Sequence, residues 1–329
     1  MTVSIIIAVK TWQKNLEESV KKCLELDFSD FEVLVLPDHP EPTEKGLKAL
    51  AELFPGLPAK VRVIPTGPVN PSKKRDLAAK EANGEILAFL DDDAYPVKKW
   101  LKNSVRHFQD KDVAAVGGPA VTPDNDSLLQ KASGMVYQSF LVGGSYSYRY
   151  VPKPKREVDD YPSCNLLVRR SVMLEIGGFN TNFWPGEDTK LCLDITKKLN
   201  KKIIYDPEVL VFHHRRKLFL PHIKQIANYG LHRGYFVKKF PQTSLRLPYF
   251  VPSIFLFCLL AGAILTALFS PFAIIYFSAI SVYLITVFIC SISTPLRLIP
   301  LVFLGIIISH FTYGFFFIKG LLSRKLSEE

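Results

Sequence analysis

Five apolar residues, 86–90, lead directly into three consecutive carboxylates, Asp91, Asp92 and Asp93, and no other stretch constrains the fold as strongly. Gly84 precedes the run, and a short apolar stretch bounded in this way is typical of a buried strand in a parallel sheet. Open α/β sheets bind ligands just beyond the carboxyl ends of their strands. Adjacent carboxylates repel one another unless a cation compensates them, and such oxygen ligands suit Mg²⁺ or Mn²⁺. The stretch therefore predicts a divalent-cation site at a strand tip, with a solvated acidic turn as the alternative.

Residues 3–90 alternate between apolar runs and amphipathic stretches. Strands are predicted at 3–9, 31–36, 61–64 and 86–90, with helices at 15–26, 43–54 and 71–82. This alternation predicts a doubly wound α/β sheet with parallel strands. Further helices are expected at 100–108, 170–176 and 189–199, and further strands at 114–118, 164–169, 203–205 and 209–212. Residues 122–162 are rich in Gly, Ser, Tyr and Pro, and we expect a loop region that covers the substrate or a simple connection.

The formal net charge of +10 indicates an anionic partner, and the position of the charge decides which kind. Residues 209–327 contain no Asp or Glu, and eight Lys and Arg residues lie between 209 and 247. From 248 to 318, Arg297 is the single Lys or Arg. A basic stretch followed by an almost uncharged apolar tail is typical of a cytoplasmic membrane junction. Nucleic acid is not expected as a partner, because it would need the basic residues on a soluble face.

The tail divides into three apolar segments, 248–269, 271–293 and 298–318, each about long enough to cross a bilayer as a helix. We expect the α/β domain at 1–216, a basic amphipathic interface segment at 217–247 and about three transmembrane helices at 248–329. The positive-inside rule places the α/β domain in the cytoplasm, on the inner (plasma) membrane. Three crossings would put Lys319, Arg324 and Lys325 outside, against that rule, and a re-entrant segment would remove the conflict.

The five cysteines show no paired spacing, and two of them lie in the apolar tail. We expect neither a disulfide framework nor a zinc site, and we expect the chain to lie in a reducing compartment. The apolar N-terminus lacks the basic region of a signal peptide and predicts a first strand instead.

Three features of the predicted α/β domain indicate phosphate-ester chemistry. They are the strand-tip carboxylates, a second acidic pair at Glu187 and Asp188, and a basic helix opening at 71–76. The chain has no Walker A sequence and no Gly-x-Gly-x-x-Gly, which argues against an ATPase and against dinucleotide binding.

With these pieces in this order, the chain resembles membrane-bound glycosyltransferases of family 2, which have the GT-A fold. The matching stretches lie within 3–216, at 4–9, 31–38, 74–76, 84–94, 165–170, 177–179, 186–188 and 211–213. The tail more loosely resembles succinoglycan-type exopolysaccharide glucosyltransferases, through Tyr229-Gly230 and Arg233 ahead of the apolar segments. The Gln-x-x-Arg-Trp motif of processive synthases is missing after Gln225, which favours transfer of a single sugar.

The resemblance implies a metal site at the acidic strand tip. Asp91 and Asp93 match the Asp-x-Asp motif, which holds Mg²⁺ or Mn²⁺ on the donor diphosphate. Asp92, between them, would face the ribose. His213 would complete the metal shell or contact a phosphate, with a structural role as the alternative.

The resemblance also implies residues that bind the nucleotide. Asp38 matches the acidic residue that reads the base, and Lys10 and Thr11 lie in the loop beneath it. The usual Pro-x-x-Asn-Glu after the first strand is replaced here by Ala-Val-Lys-Thr-Trp, so the preferred base stays open. Arg75 matches a basic residue near the donor, with a solvated helix-surface arginine as the alternative.

Asp188 matches the catalytic base, with Glu187 as its competitor and a simple helix cap as the alternative. The base would take a proton from the acceptor hydroxyl while that oxygen attacks the anomeric carbon opposite the diphosphate, which inverts the anomeric centre. Trp184 would stack on an acceptor sugar or would belong to the core.

The predicted function is therefore an inverting, metal-dependent glycosyltransferase. It would move one sugar, a hexose by this resemblance, from a nucleotide-sugar donor to a membrane-associated acceptor, such as a polyprenyl-linked or exopolysaccharide precursor. Two alternatives stay open. One is a non-catalytic membrane scaffold with a degenerate sugar-nucleotide fold, and the other is a nucleotidyltransferase that would release pyrophosphate.

Overall fold

The computed structural model describes residues 1–52 and 60–328. The chain forms two compact units. Residues 1–121 and 151–214, with Glu328, make the first, and residues 122–150 and 215–327 make the second. The expected domains at 1–216, 217–247 and 248–329 stay a prediction, because a division by compactness does not define functional domains.

The first unit is built on an eight-stranded sheet in the order β3-β2-β1-β4-β9-β6-β10-β8. Its strands are β1 Val3–Ala8, β2 Phe31–Leu36, β3 Val61–Val63, β4 Ile86–Asp91, β6 Val113–Gly117, β8 Arg156–Val158, β9 Asn165–Arg169 and β10 Lys202–Tyr205. β1, β2 and β4 are buried on both faces, which explains their nearly continuous apolar sequence.

The helices of this unit connect the strands. They are α1 Lys14–Leu24, α2 Pro40–Ala51, α3 Pro71–Glu81, α4 Trp100–Val105, α7 Arg170–Glu175 and α8 Glu187–Leu193. α1 buries Leu16, Val20 and Cys23 against the sheet, as the predicted amphipathic pattern requires. The end of the helix predicted at 43–54 lies outside the described residues. The helix predicted at 189–199 begins two residues earlier and continues beyond α8 as a π-helical turn, Asp194–Lys198.

The four strands within residues 3–91 confirm the predicted doubly wound part with parallel strands, and the rest of the sheet is mixed. β3, β2, β1 and β4 are parallel, but β9 is antiparallel to both β4 and β6, and β8 is antiparallel to β10. A strand buried between two others is apolar along its length whichever way it runs. Its direction therefore cannot be predicted from composition.

A second, three-stranded sheet lies in the same unit, in the order β5-β11-β7. Its strands are β5 Ala94–Pro96, β7 Ala120–Val121 and β11 Val211–His213. β11 is antiparallel to β5, and His213 pairs with Ala94. The backbone N–H of His214 donates to the carbonyl of Asp93 at 2.9 Å. This small sheet therefore brings residue 213 to the acidic end of β4.

In the second unit, the expectation of a loop region at 122–162 is wrong for residues 128–138. These form helix α5, Leu128–Gln138, which opens with a capping box of Ser127 and Gln130. A short helix, α6 Phe140–Gly143, follows. The small residues Ala132, Ser133 and Gly134 obscure the helical pattern in the sequence, but all three are buried in the folded unit.

The remaining helices of the second unit are α9 Leu220–Lys239, α10 Pro241–Ser244, α11 Leu247–Leu268, α12 Phe272–Ile292 and α13 Ile299–Leu322. The last three of these helices confirm the predicted apolar segments to within a few residues. By length and composition, each of the three could cross a membrane. Most of the large apolar side chains of α11 and α12 are exposed, which is expected of helices that face lipid.

Candidate donor and metal site

Asp91, Asp93 and His213 converge at the tip of β4. One ligand atom from each residue lies within 4.8 Å of the other two. Asp91 ends β4, Asp93 precedes β5, and His213 ends β11, so the pairing of β5 with β11 brings these side chains together. His213 Nε2 lies 2.9 Å from Asp93 Oδ1. The sequence-predicted metal ligands are therefore close together.

The donor set at this tip fits a divalent cation. Two carboxylates and one imidazole are ligands that Mn²⁺ accepts readily, and oxygen donors also suit Mg²⁺. The side chains of Asp93 and His213 are mostly buried, at 11% and 15% exposure, whereas that of Asp91 is 31% exposed. Because the Asp93 carboxylate is largely buried beside an imidazole, a solvated acidic turn does not describe this strand tip.

Arg75 connects the strand tip to a second acidic element. One of its terminal nitrogens donates to Asp91 Oδ1 at 2.8 Å, and the other donates to Glu187 Oε1 at 2.9 Å. Its side chain is 5% exposed, so it is not a solvated arginine on a helix surface. Burial lowers the pKa of Arg75, but the charges of Asp91, Glu187 and Asp188 more than offset this and raise it overall.

Glu187 and Asp188 begin helix α8, and a glycine makes this start possible. Gly186 has a φ of +116°, a left-handed backbone conformation that residues other than glycine rarely adopt. Asp188 Oδ2 accepts from the backbone N–H of Ser163 at 3.3 Å, and its Oδ1 accepts from the N–H of Thr189 at 2.8 Å. These two backbone donors fix the orientation of the Asp188 carboxylate.

The two neighbouring carboxylates have different environments. Glu187 is buried, and burial together with the charge of Asp188 raises its pKa to about 7, although Arg75 acts in the opposite direction. Asp188 is the more exposed of the pair. Of the two carboxylates, Asp188 is therefore the one that solvent reaches, whereas Glu187 is bound by Arg75.

Asp38 lies at the end of β2 and is held by a lysine. Lys74 Nζ donates to Asp38 Oδ1 at 2.5 Å and also to the carbonyls of Val9 and Leu36, at 2.6 and 3.2 Å. The backbone N–H of Asp38 donates to the carbonyl of Lys10 at 3.0 Å. The predicted base-reading carboxylate is therefore fixed beside the predicted loop.

The other predicted site residues are more exposed. Lys10 and Thr11 are exposed in the loop after β1. Asp92 Oδ2 accepts a hydrogen bond from Gln13 Nε2, which turns it toward the start of α1. Trp184 is 55% exposed, which rules out a core role.

Two residues of α3 support the site and were not among the predicted site residues. Lys74 is buried and neutralises Asp38, and Asp76 accepts from the backbone N–H groups of Phe179 and Asn180 at 2.7 and 3.3 Å. Burial raises the pKa of Asp76. The sequence gives no signal for their burial, because charged side chains on a helix are usually solvated.

A mixed α/β sheet with a carboxylate-rich strand tip, beside a second acidic pair at a helix start, defines a class: the GT-A type fold of glycosyltransferases. The chain belongs to glycosyl transferase family 2, whose sequence profile matches residues 4–177, more than half of the chain.

Relatives with assigned activities agree with this family. Over 325 residues the chain is 26% identical to a Methanococcus voltae protein, dolichyl N-acetyl-alpha-D-glucosaminyl phosphate 3-beta-D-2,3-diacetamido-2,3-dideoxy-beta-D-glucuronosyltransferase, with 94% of each chain covered. It is 28% identical over 162 residues to the pre-mycofactocin glycosyltransferase of Mycobacterium tuberculosis, which covers 49% of this chain. The match covers 33% of that protein, so the chain spans about a third of the length of this relative.

Among solved structures, the mannosyltransferase PcManGT from Pyrobaculum calidifontis, in complex with GDP-Man and Mn²⁺, has a similar fold. Its TM-score is 0.66 at 18% identity, and the match covers 98% of this chain and 88% of that chain. At this identity the likeness shows the fold alone.

Proposed function

We propose that this chain is an inverting, metal-dependent glycosyltransferase that transfers one sugar from a nucleotide-sugar donor to a membrane-associated acceptor. The observation that carries the proposal is the pair of hydrogen bonds from Arg75, to Asp91 at the strand tip and to Glu187 beside Asp188. Arg75 thereby holds Asp91, which suits a metal ion bound to a diphosphate, close to Asp188, which suits proton abstraction. A sugar transfer requires both groups in one site.

The donor side of the proposal rests on the three converging ligands. Asp91, Asp93 and His213 would hold Mg²⁺ or Mn²⁺, and the similarly folded mannosyltransferase was solved with GDP-Man and Mn²⁺. A divalent cation supplies positive charge that stabilises the leaving nucleoside diphosphate. Asp38, held by Lys74, would read the base together with the loop of Lys10 and Thr11, and Asp92 would contact the ribose.

On the acceptor side, Asp188 is the proposed base. Its orientation by the N–H groups of Ser163 and Thr189 would aim it at the acceptor hydroxyl. As Asp188 takes the proton, the hydroxyl oxygen forms its bond to the anomeric carbon and the bond to the diphosphate oxygen breaks, which inverts that carbon. Glu187 is a positioning residue in this scheme, and exposed Trp184 would stack on an acceptor sugar.

The apolar helices support a membrane-associated acceptor. A dolichyl-linked substrate is part of the name of the Methanococcus voltae relative, which aligns over almost the whole chain. We propose a polyprenyl-linked saccharide or exopolysaccharide precursor as the acceptor class, and a hexose as the transferred sugar. The chain would be a multi-pass protein of the plasma membrane with the first unit in the cytoplasm.

The test is a donor and acceptor screen with the purified full chain, Mn²⁺, a panel of nucleotide sugars and a lipid extract. Wild type should glycosylate one lipid and release a nucleoside diphosphate. Asp188→Asn should lose transfer and keep donor binding, while Glu175→Gln, an exposed control, should match wild type. Wild-type activity in Asp188→Asn would contradict the base assignment. Release of pyrophosphate would indicate a nucleotidyltransferase, and failure to bind any nucleotide with metal would favour a scaffold.

A further inference from the structure

Within the second unit, α9 and α13 run side by side in the same direction. His222 is near the start of α9, and its Nε2 lies 2.9 Å from Ser309 Oγ of α13. Lys238, at the other end of α9, donates through Nζ to the carbonyl of Ser323. Residues 222–238 of one helix therefore lie level with residues 309–323 of the other.

Glycines bring the two backbones into direct contact. A Cβ atom added to Gly234 would lie 2.0 Å from the carbonyl oxygen of Phe317, and one added to Gly320 would lie 1.9 Å from that of Leu231. Gly230 and Gly234 form a Gly-x-x-x-Gly pair on the α9 face that meets α13. Because the contact is this close, the two helices must share one depth relative to any membrane.

That depth is not the middle of a bilayer, because α9 carries a charged outer face. Lys224, Asn228, Lys238 and Lys239 of α9 are exposed. Lysine side chains at the centre of a hydrocarbon layer are strongly unfavourable, so this face must meet water or lipid headgroups. Residues 309–323 of α13 then lie near the membrane surface as well.

α11 and α12 form an antiparallel hairpin with one largely exposed end. Phe255 and Tyr283 are in ring contact at 4.5 Å, and Tyr276 donates to the carbonyl of Leu259 at 3.2 Å. The end of the hairpin that contains residues 257–282 exposes large apolar side chains, such as Phe257 at 69%. This end projects as a pair of lipid-compatible helices.

Both ends of α13 contact the opposite end of that hairpin. Val302 and Ile306, early in α13, share a buried cluster with Val287 of α12. Phe317, late in α13, contacts Phe250 of α11 at 4.9 Å between ring centres. Residues 250 and 287 lie at the same end because α11 and α12 are antiparallel. A third crossing helix would instead place its two ends at opposite ends of the hairpin.

We propose that α11 and α12 are the two membrane crossings, and that α13 lies along the cytoplasmic leaflet together with α9. The exposed apolar side chains of α13 form one stripe opposite the face that is buried in the protein, and this stripe would enter the headgroup and acyl boundary. Its members are Leu304, Phe311, Phe315, Ile318 and Leu322. The partner surface is one lipid leaflet.

This arrangement resolves the charge conflict of three crossings. With two crossings, Lys319, Arg324 and Lys325 lie on the same side as Arg297 and the basic residues at 215–217. All of them then obey the positive-inside rule. The inference does not depend on the proposed enzymatic activity.

The test places single cysteines in the full chain and labels cells with a membrane-impermeant maleimide. The Ser270→Cys variant carries its label site in the turn between α11 and α12, and the Ser327→Cys variant carries it after α13. Ser171→Cys, exposed in the first unit, is the inside control, and the wild-type chain gives the background of its five native cysteines.

Ser270→Cys should be labelled in intact cells, while Ser327→Cys should rise from background to the Ser171→Cys level only after permeabilisation. If the Ser327→Cys variant accumulates poorly, Lys325→Cys takes its place and should give the same labelling result. Labelling of Ser327→Cys and Lys325→Cys in intact cells would overturn the proposal, because α13 would then cross. Protection of Ser270→Cys in intact cells would also overturn it, because the hairpin would not cross.

Discussion

Arg75 is buried and binds carboxylates from two separate elements, Asp91 of β4 and Glu187 of α8. Removing one partner from a buried ion pair leaves an uncompensated charge, which typically costs about 3–5 kcal/mol. Arg75→Gln should therefore lower the free energy of unfolding by about that amount and greatly reduce sugar transfer. Chemical denaturation of the chain in detergent would measure the change.

The matched control is Lys102→Gln, which breaks the exposed pair of Lys102 with Asp27. Exposed pairs contribute about 0–1 kcal/mol, so this variant should resemble wild type. Equal stability of Arg75→Gln and Lys102→Gln would mean that Arg75 does not join the two acidic elements.

Glu187 gives the site a dependence on pH. Its pKa in the folded chain is about 7, against an ordinary value of 4.5, because of burial and the charge of Asp188. A carboxyl group with a raised pKa contributes stability below its unfolded value, and that contribution is lost as the pH rises through the folded value. The Tm of metal-free wild type should therefore fall between about pH 5 and pH 8.

Glu187→Gln removes the titrating group and should flatten this part of the Tm profile. Glu175→Gln, which changes an exposed carboxylate, should leave the wild-type slope. A wild-type slope in Glu187→Gln would contradict the raised pKa.

At the residue scale, the sequence indicated the acidic and basic groups but not how they pair. Asp91, Asp93 and His213 could be predicted because motif spacing places each at the end of a strand. Their mutual approach within 4.8 Å depends on the pairing of β5 with β11, which short strands do not reveal. The buried position of Lys74 and the two bonds of Arg75 could not be predicted, because long polar side chains are usually solvated on helices.

At the element scale, parallel strands were predictable and antiparallel insertions were not. β1, β2 and β4 follow from their apolar runs, whereas β9 enters the sheet in reverse through a long-range pairing that leaves no local signal. α5 was missed for a related reason. Its small residues suit close packing in the folded unit, and in sequence they resemble a loop.

The contact of α9 with α13 gives a test at this scale. Gly234→Val places a side chain where a Cβ alone would lie 2.0 Å from Phe317 O, so the helices must separate. Overpacking of this kind typically costs about 1–3 kcal/mol. The Tm in detergent should fall accordingly.

Asn228→Val is the control, since it adds the same β-branched residue to an exposed position of the same helix. The difference between the two variants isolates the helix contact from helix propensity. Equal losses would contradict the close packing of α9 on α13.

For the whole molecule, the two units differ in charge. Residues 122–150 and 215–327 contain fourteen Lys and Arg and two Asp, so this unit accounts for the positive charge of the chain. The first unit holds the proposed metal ligands and the proposed base. This division fits an enzyme whose anchor binds an anionic leaflet and whose site binds a metal-compensated diphosphate.

The central claim is that Asp91, Asp93 and His213 bind a divalent cation that in turn holds the donor diphosphate. Calorimetric titration of nucleoside diphosphates into the full chain in detergent tests it most directly, with Mn²⁺ or with EDTA. At least one nucleoside diphosphate should bind with Mn²⁺, and EDTA should abolish that binding. Asp93→Asn should weaken it roughly tenfold or more, about 1.4 kcal/mol, whereas exposed Asp124→Asn should match wild type. Binding that survives EDTA, or is undiminished in Asp93→Asn, would contradict the account.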